Sequence, residues 1–139
     1  MVKLIVGNKG SGKTKTLIEM TNSAVEKSKG NVVCLEKGTK LTYDISHKAR
    51  LVDTDDYKLE GFDSLYGFIC GLLAGNYDIT HIFVDATLKI GGRDYGEFAK
   101  MINKLADIDG TEHLEDIVFT VSCDASELPQ ELEKFILIN

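Results

Sequence analysis

A glycine-rich segment of eight residues limits what this chain can fold into more than any other part of its sequence. It follows the pattern glycine, four residues of any type, glycine, lysine, and serine or threonine. An apolar run from Val2 to Val6, interrupted only by Lys3, precedes it, and apolar residues at helical spacing follow it. A glycine-rich turn between a buried strand and the start of a helix is typical of an anion site formed by backbone amides. The segment, which we call the glycine-rich loop, is Gly7-Asn8-Lys9-Gly10-Ser11-Gly12-Lys13-Thr14.

Each part of this loop suits the binding of a phosphate chain. The glycines allow a tight turn whose N–H groups point inward at phosphate oxygens, and the helix dipole adds positive potential there. Lys13 is expected to reach the β- and γ-phosphates, and Thr14 to offer its hydroxyl to Mg²⁺. All eight residues of the loop are therefore candidate nucleotide-binding residues.

Residues 2 to 28 resemble the Walker A unit of the P-loop NTPases. The resemblance implies a single nucleotide-binding domain over residues 1–139, built as a three-layer α/β sandwich around a mainly parallel sheet. It also implies ATP and Mg²⁺ as cofactors. It does not imply a particular biological role.

A second stretch supports the same interpretation. Thr80-His81-Ile82-Phe83-Val84-Asp85 is an apolar strand that ends in aspartate, and it resembles the Walker B motif. An aspartate at this position would lie at the carboxyl edge of a parallel sheet, where ligands bind in open α/β folds. We therefore expect Asp85 to join Thr14 as a magnesium ligand, directly or through water.

The order of the predicted elements resembles the RecA-like branch of that superfamily. Further strands are predicted at Asn31–Leu35, Arg50–Asp53 and Ile117–Val121. The Ile117–Val121 strand is expected to insert beside the first strand. Ser122 would then lie near the γ-phosphate as a polar sensor, or it is an ordinary turn residue.

Helices are predicted in the intervening segments. One follows the glycine-rich loop to Lys29, and a second spans Phe62 to Ala74 with Asp63 or Ser64 as its cap. A third runs from Asp94 to about Ala106, and a last helix is capped by Ser126. Residues 86–93 are predicted to be a flexible loop, and residues 135–138 either end the last helix or form a short strand.

The usual base for activating water is absent from its expected place. Asp85 is followed by Ala86, where the RecA-like branch often carries glutamate. Glu36, at the end of the Asn31–Leu35 strand, is the replacement candidate, together with Lys13 and Asp85 as the other catalytic residues. The alternative for Glu36 is a surface side chain beside Lys37.

Three weaker signals remain. Arg93 either reaches a phosphate or is a solvated loop residue. A carboxylate cluster after the Arg50–Asp53 strand, formed by Asp53, Asp55 and Asp56, either binds a metal or forms an acidic turn. Residues 103–107 resemble the guanine-reading motif of GTPases, but the aspartate is one position late, so GTP specificity is rejected.

Composition sets further bounds. The chain has 139 residues, 43% of them apolar and 27% charged, as in a soluble globular domain. Its net charge of −6 disfavours broad electrostatic binding to nucleic acid. No membrane segment or targeting peptide is predicted, and three widely spaced cysteines favour reduced thiols in the cytoplasm.

These observations favour a small ATP-binding protein with Mg²⁺-dependent, weak or regulated ATPase activity. One alternative is a nucleoside or small-molecule kinase that resembles the thymidine kinases. Another is a non-catalytic nucleotide-sensing module. An ATPase should release phosphate alone, a kinase should need an acceptor, and a sensor should bind ATP tightly and release little. A protein partner or homo-oligomer is left open.

Overall fold

Six parallel strands form the centre of the protein in the computed structural model, which describes residues 1–108 and 113–139. In chain order the strands are β1 (Val2–Gly7), β2 (Asn31–Glu36), β3 (Arg50–Asp53), β4 (Ile79–Val84), β5 (Asp116–Ser122) and β6 (Ile136–Ile138). Their order across the sheet is β3-β2-β4-β5-β1-β6. Every pairing between neighbours is parallel, so the carboxyl ends of all strands meet at one edge.

The helices connect these strands across both faces of the sheet. They are α1 (Lys13–Lys27), α2 (Phe62–Gly75), α3 (Thr87–Gly91) and α4 (Tyr95–Ala106). Three short 3₁₀ segments, Thr54–Tyr57, Ala125–Glu127 and Gln130–Phe135, complete the described secondary structure. The predicted α/β class with a parallel sheet is therefore confirmed.

The core divides into two clusters, one on each face of the sheet. The larger cluster joins α2, α3 and α4 to the strands, with Phe62, Leu65 and Phe98 buried at its centre. The smaller cluster joins α1 through Leu17 to the opposite face. The strands of this parallel sheet are near-continuous apolar runs in the sequence because helices cover both faces of the sheet.

The inserted strand is where the sequence predicted it. β5 lies between β1 and β4, and its register pairs Gly7 with Ser122. The carboxyl ends of β1, β4 and β5 therefore stand side by side, and the glycine-rich loop begins next to the end of β5.

Two local predictions in the middle of the chain are wrong. Residues 87–91 form helix α3 rather than part of a flexible loop, and Leu88 and Ile90 bury its inner face in the core. Gly91 packs so closely that a Cβ there would overlap the ring of Phe62. Helix α2 begins after Gly61 with no side-chain cap, so neither Asp63 nor Ser64 caps it.

The end of the chain also differs from its prediction. Ser126 does not cap a helix; Asp124 caps a 3₁₀ turn, and a second 3₁₀ segment starts after Pro129. Of the two alternatives for residues 135–138, the short strand is the one observed, as β6. Within the described ranges, no helix has both the length and the apolar character needed to cross a bilayer.

Candidate functional site

A cleft of about 710 Å³ opens at the carboxyl edge of the sheet. The glycine-rich loop and the start of α1 form one wall, and the ends of β2, β4 and β5 form the floor. Ligands of open parallel sheets bind at this edge. The cleft contains the three residues predicted to be catalytic, Lys13, Glu36 and Asp85.

The glycine-rich loop has the backbone of a tight turn. Gly10 and Gly12 take φ angles of 86° and 89°, in the region that favours glycine. The amide of Ser11 donates to the carbonyl of Asn8 at 3.1 Å, and Gly12 precedes the first residue of α1. The loop therefore places the free amides of a 15-residue helix beside the cleft.

Lys13 is the buried cation of the loop, with 8% of its surface exposed. Its ammonium donates to the carbonyl of Asn8 at 3.1 Å. Burial lowers the pKa of Lys13, and the negative charge of Asp85 partly opposes this effect. Among the described residues no carboxylate is ion-paired with Lys13, so an anion bound in the cleft would supply a partner for this buried charge.

Thr14 and Asp85 meet across the cleft as predicted. The Thr14 hydroxyl lies 3.3 Å and 3.5 Å from the two carboxylate oxygens of Asp85, which is only 9% exposed. A hydroxyl and a carboxylate are the oxygen ligands that Mg²⁺ takes beside substrate phosphates. The pair therefore fits the predicted metal in donor type and in separation.

Thr120 contacts Asp85 in the cleft, and the sequence analysis did not predict it as a site residue. Its hydroxyl donates to Asp85 at 2.7 Å and accepts from the amide of Ala86 at 3.0 Å. The side chain is 2% exposed. Its one signal in the sequence is a polar residue within the apolar run of β5, which is too common a feature to identify a function.

Ala86 holds an unusual conformation directly after Asp85. Its φ of 57° and ψ of 42° are left-handed, which a residue with a Cβ adopts at an energetic cost. The bond from its amide to Thr120 holds this turn. The chain therefore passes from β4 to α3 through a residue in a left-handed conformation.

Glu36 is buried, so the interpretation of Glu36 as a surface side chain is wrong. It is 3% exposed, lines the cleft, and accepts from the amide of Leu41 with both oxygens, at 3.1 Å and 3.2 Å. Burial raises the pKa of Glu36, and the charges of Asp85 and Asp53 raise it further, against the lowering by backbone hydrogen bonds. Glu36 is therefore a buried carboxylate in the cleft that holds a proton more tightly than a free glutamate does.

Arg93 lines the cleft, and its side chain is exposed. Its guanidinium donates to the hydroxyl of Tyr95 and to the carbonyl of Ser122, each at 3.3 Å. Tyr95 in turn donates to Glu127 at 3.0 Å. Ser122 lines the cleft, and its described hydrogen bond to Arg93 is made by its backbone.

The lining of the cleft is cationic although the chain as a whole is acidic. Among the described residues it carries three carboxylates, Glu36, Asp85 and Glu127. Its seven cations are Lys9, Lys13, Lys15, Lys37, Lys40, Lys89 and Arg93. This excess suits an anionic ligand.

Other candidates lie outside this cleft or are inert. Asp53 accepts from the amides of Gly38 and Asp55, so the acidic cluster is a capped turn. Within residues 1–108 and 113–139, no group of three or more His, Cys, Asp or Glu side chains is arranged to hold a metal, and the metal interpretation of that cluster is wrong.

The guanine-reading resemblance does not reach the cleft either. Residues 103–106 belong to α4, and the amide of Asn103 donates to Glu131 at 3.3 Å. The buried thiols offer no nucleophile: burial raises the pKa of Cys34 to about 12, and burial also raises that of Cys123, which lines the cleft.

Comparison with known proteins adds no family. The sequence matches no protein-family model, and a search of curated proteins finds no match of significant similarity. The function is therefore argued from the cleft itself.

Proposed function

We propose that the protein binds ATP with Mg²⁺ in this cleft and hydrolyses it slowly. One observation carries the proposal: the glycine-rich loop, Thr14 and Asp85 converge in one cleft although 71 residues separate the two side chains. The strand order, with β5 between β1 and β4, also agrees with the RecA-like plan.

The loop supplies the contacts for the phosphate chain. Its amides and the N-terminus of α1 point partial positive charge at the cleft, and Lys13 adds a full charge. Lys13 exchanges its bond to the Asn8 carbonyl for phosphate oxygens when the nucleotide binds. A bound phosphate offsets the cost of burying the ammonium charge.

Thr14 and Asp85 would hold the magnesium ion, which neutralises charge on the phosphates when it is bound. Thr120 orients the Asp85 carboxylate by donating to one oxygen at 2.7 Å. The Thr14 hydroxyl lies 3.3 Å from that same oxygen and 3.5 Å from the other. Asp85 is thereby positioned before any ligand arrives.

Glu36 is the base that accepts a proton from the attacking water in this proposal. It is the other buried carboxylate on the floor of the cleft. Two features make it a slow base. The amide of Leu41 contacts both oxygens, and the raised pKa of Glu36 leaves less of it ionised at a given pH than of a free glutamate.

Phosphate release from ATP in the presence of Mg²⁺ tests this function. We expect the wild type to release phosphate slowly and Lys13→Ala to release none. Glu36→Gln should release phosphate at least tenfold more slowly than the wild type while its ATP affinity is unchanged. Lys100→Ala, an exposed lysine on α4, is the control for loss of a cation. Release by Lys13→Ala at the wild-type rate contradicts the proposal, and ATP binding without release by any variant indicates a sensor.

A further inference from the structure

Arg93 is held beside the start of the glycine-rich loop, although its side chain is exposed. Its guanidinium donates to the carbonyl of Ser122 and to the hydroxyl of Tyr95, each at 3.3 Å. Ser122 is the last residue of β5 and pairs in register with Gly7, the first residue of the loop. Because paired strands lie about 5 Å apart, the carbonyl that holds Arg93 is next to the loop.

The tip of the Lys13 side chain lies at the same end of the loop. Its ammonium donates to the carbonyl of Asn8, the second residue of the loop. Burial raises the pKa of the Cys123 thiol, and the charge of Arg93 acts to lower it. Burial lowers the pKa of Lys13, and Asp85 and the same thiol oppose this effect. Arg93 and Lys13 are therefore both neighbours of one buried thiol.

The guanidinium of Arg93 keeps donors free for a ligand. Both of its hydrogen bonds are made by Nη1. Within residues 1–108 and 113–139, Nη2 and Nε donate to no protein acceptor, and no carboxylate forms an ion pair with Arg93. Two adjacent N–H groups of a guanidinium match two oxygens of a phosphate. A phosphate can therefore be bound without breaking the bonds that hold Arg93.

Tyr95 determines where Arg93 is held. Its ring is half-buried against the larger core cluster. Its hydroxyl donates to Glu127 at 3.0 Å, so its oxygen is left to accept from Arg93. The other carboxylate oxygen of Glu127 accepts from the amide of Asp124 at 3.2 Å, within a capping box. The acceptor that orients the Tyr95 hydroxyl is therefore itself held by the backbone.

We propose that Arg93 contacts the terminal phosphate of the nucleotide, that Tyr95 positions it, and that the site thereby prefers a triphosphate to a diphosphate. The inference rests on the proposed function, because the nucleotide must lie on the glycine-rich loop. Lys13 is expected to reach the β- and γ-phosphates, and Arg93 stands at the same end of the loop. The terminal phosphate is the group that distinguishes ATP from ADP at this end.

Titration calorimetry with Mg²⁺ compares a non-hydrolysable ATP analogue, AMPPNP, with ADP. The wild type should bind AMPPNP at least tenfold more tightly than ADP. Arg93→Gln should weaken AMPPNP binding at least tenfold and ADP binding less than threefold. Arg50→Gln is the matched control, because Arg50 is the other arginine of the chain and is exposed at the opposite edge of the sheet. It should change neither affinity.

Tyr95→Phe tests the positioning role, because it keeps the ring and removes the hydroxyl. It should weaken AMPPNP binding at least threefold and leave ADP binding unchanged. The double variant Arg93→Gln/Tyr95→Phe should bind AMPPNP within twofold of Arg93→Gln alone, because Tyr95 acts through Arg93. A further threefold loss in the double variant would contradict this role.

The outcomes separate this inference from the proposed function. If Arg93→Gln weakens AMPPNP and ADP equally, or weakens neither, the contact with the terminal phosphate is wrong while the nucleotide site stands. Equal affinity of the wild type for AMPPNP and ADP also overturns the inference alone. Failure of both nucleotides to bind the wild type overturns the proposed function and this inference together.

Discussion

The hydroxyl of Thr120 donates to the carboxylate of Asp85 at 2.7 Å and accepts from the amide of Ala86 at 3.0 Å. One buried hydroxyl thus orients the proposed magnesium ligand and holds the strained turn that follows it. Thr14 approaches the same carboxylate from α1. Three elements, α1, β4 and β5, are joined at this point of the cleft.

Replacement of Thr120 by valine should disturb this corner. Thr120→Val removes the donor to Asp85 and leaves the Ala86 amide without its acceptor, so we expect a loss of about 1–3 kcal/mol in the free energy of unfolding. Affinity for Mg²⁺-ATP should also fall because Asp85 loses its orientation. Urea denaturation and ATP titration measure the two effects.

Thr120→Ser keeps the hydroxyl and is the matched control. We expect it to retain Mg²⁺-ATP affinity within threefold of the wild type. Equal loss of affinity in the serine and valine variants would show that the methyl group, and not the hydroxyl, matters at Thr120.

Asp85 should be the residue that makes ATP binding depend on Mg²⁺. Asp85→Asn removes the negative charge but keeps the shape, so ATP affinity should become nearly the same with Mg²⁺ and with EDTA. The wild type should bind ATP at least tenfold more tightly with Mg²⁺. Calorimetry under both conditions measures this ratio, and an unchanged ratio in Asp85→Asn would remove Asp85 from the metal site.

Glu36 should make stability depend on pH. Its raised pKa means that the folded state holds the proton more tightly than the unfolded state, whose pKa is about 4.3. Ionisation therefore costs stability as pH rises from that value through the folded pKa. Glu36→Gln cannot ionise, so its stability relative to the wild type should increase over this range.

Urea denaturation at several pH values between 4 and 8 tests this expectation. The exposed Glu26→Gln serves as the control for loss of one negative charge. A difference between Glu36→Gln and wild type that shrinks as pH rises would contradict the predicted sign.

The strain at Ala86 should be measurable. Ala86→Gly relieves a left-handed conformation worth about 1–2 kcal/mol, against a smaller entropic cost, so we expect a gain of about 0.5–1 kcal/mol. Ala74→Gly, at an exposed position in α2, should instead lose about 1 kcal/mol. Thermal denaturation compares the two, and equal destabilisation by both changes would show that Ala86 carries no strain.

Local sequence patterns predicted most of the sheet. Apolar runs located five strands, and the glycine-rich loop located the start of α1. The loop also allowed Asp85 to be paired with Thr14 across 71 residues, and the structure brings them to 3.3 Å. The strands and the loop could be predicted because each depends on neighbours in the chain, whereas the pairing of Asp85 with Thr14 came from the resemblance to the Walker motifs.

The features that were missed depend on tertiary contacts. Thr120 is one polar residue in a buried strand, and only its position opposite Asp85 gives it a role. Helix α3 is short and ends at Gly91 and Gly92, so its sequence has little helical pattern, and only the fold shows that Gly91 makes room for Phe62. Glu36 was found as a candidate, but its burial follows from the turn that returns Leu41 to it.

ATP binding by the wild type, Lys13→Ala and Lys100→Ala, with Mg²⁺ and with EDTA, tests the central claim most directly. Calorimetry should show one site in the wild type, tighter with Mg²⁺, and the same site in Lys100→Ala. Lys13→Ala should lose at least tenfold in affinity, because its ammonium is the buried cation of the loop. Equal ATP affinity in all three proteins, or no ATP binding by the wild type, would contradict a nucleotide site in this cleft.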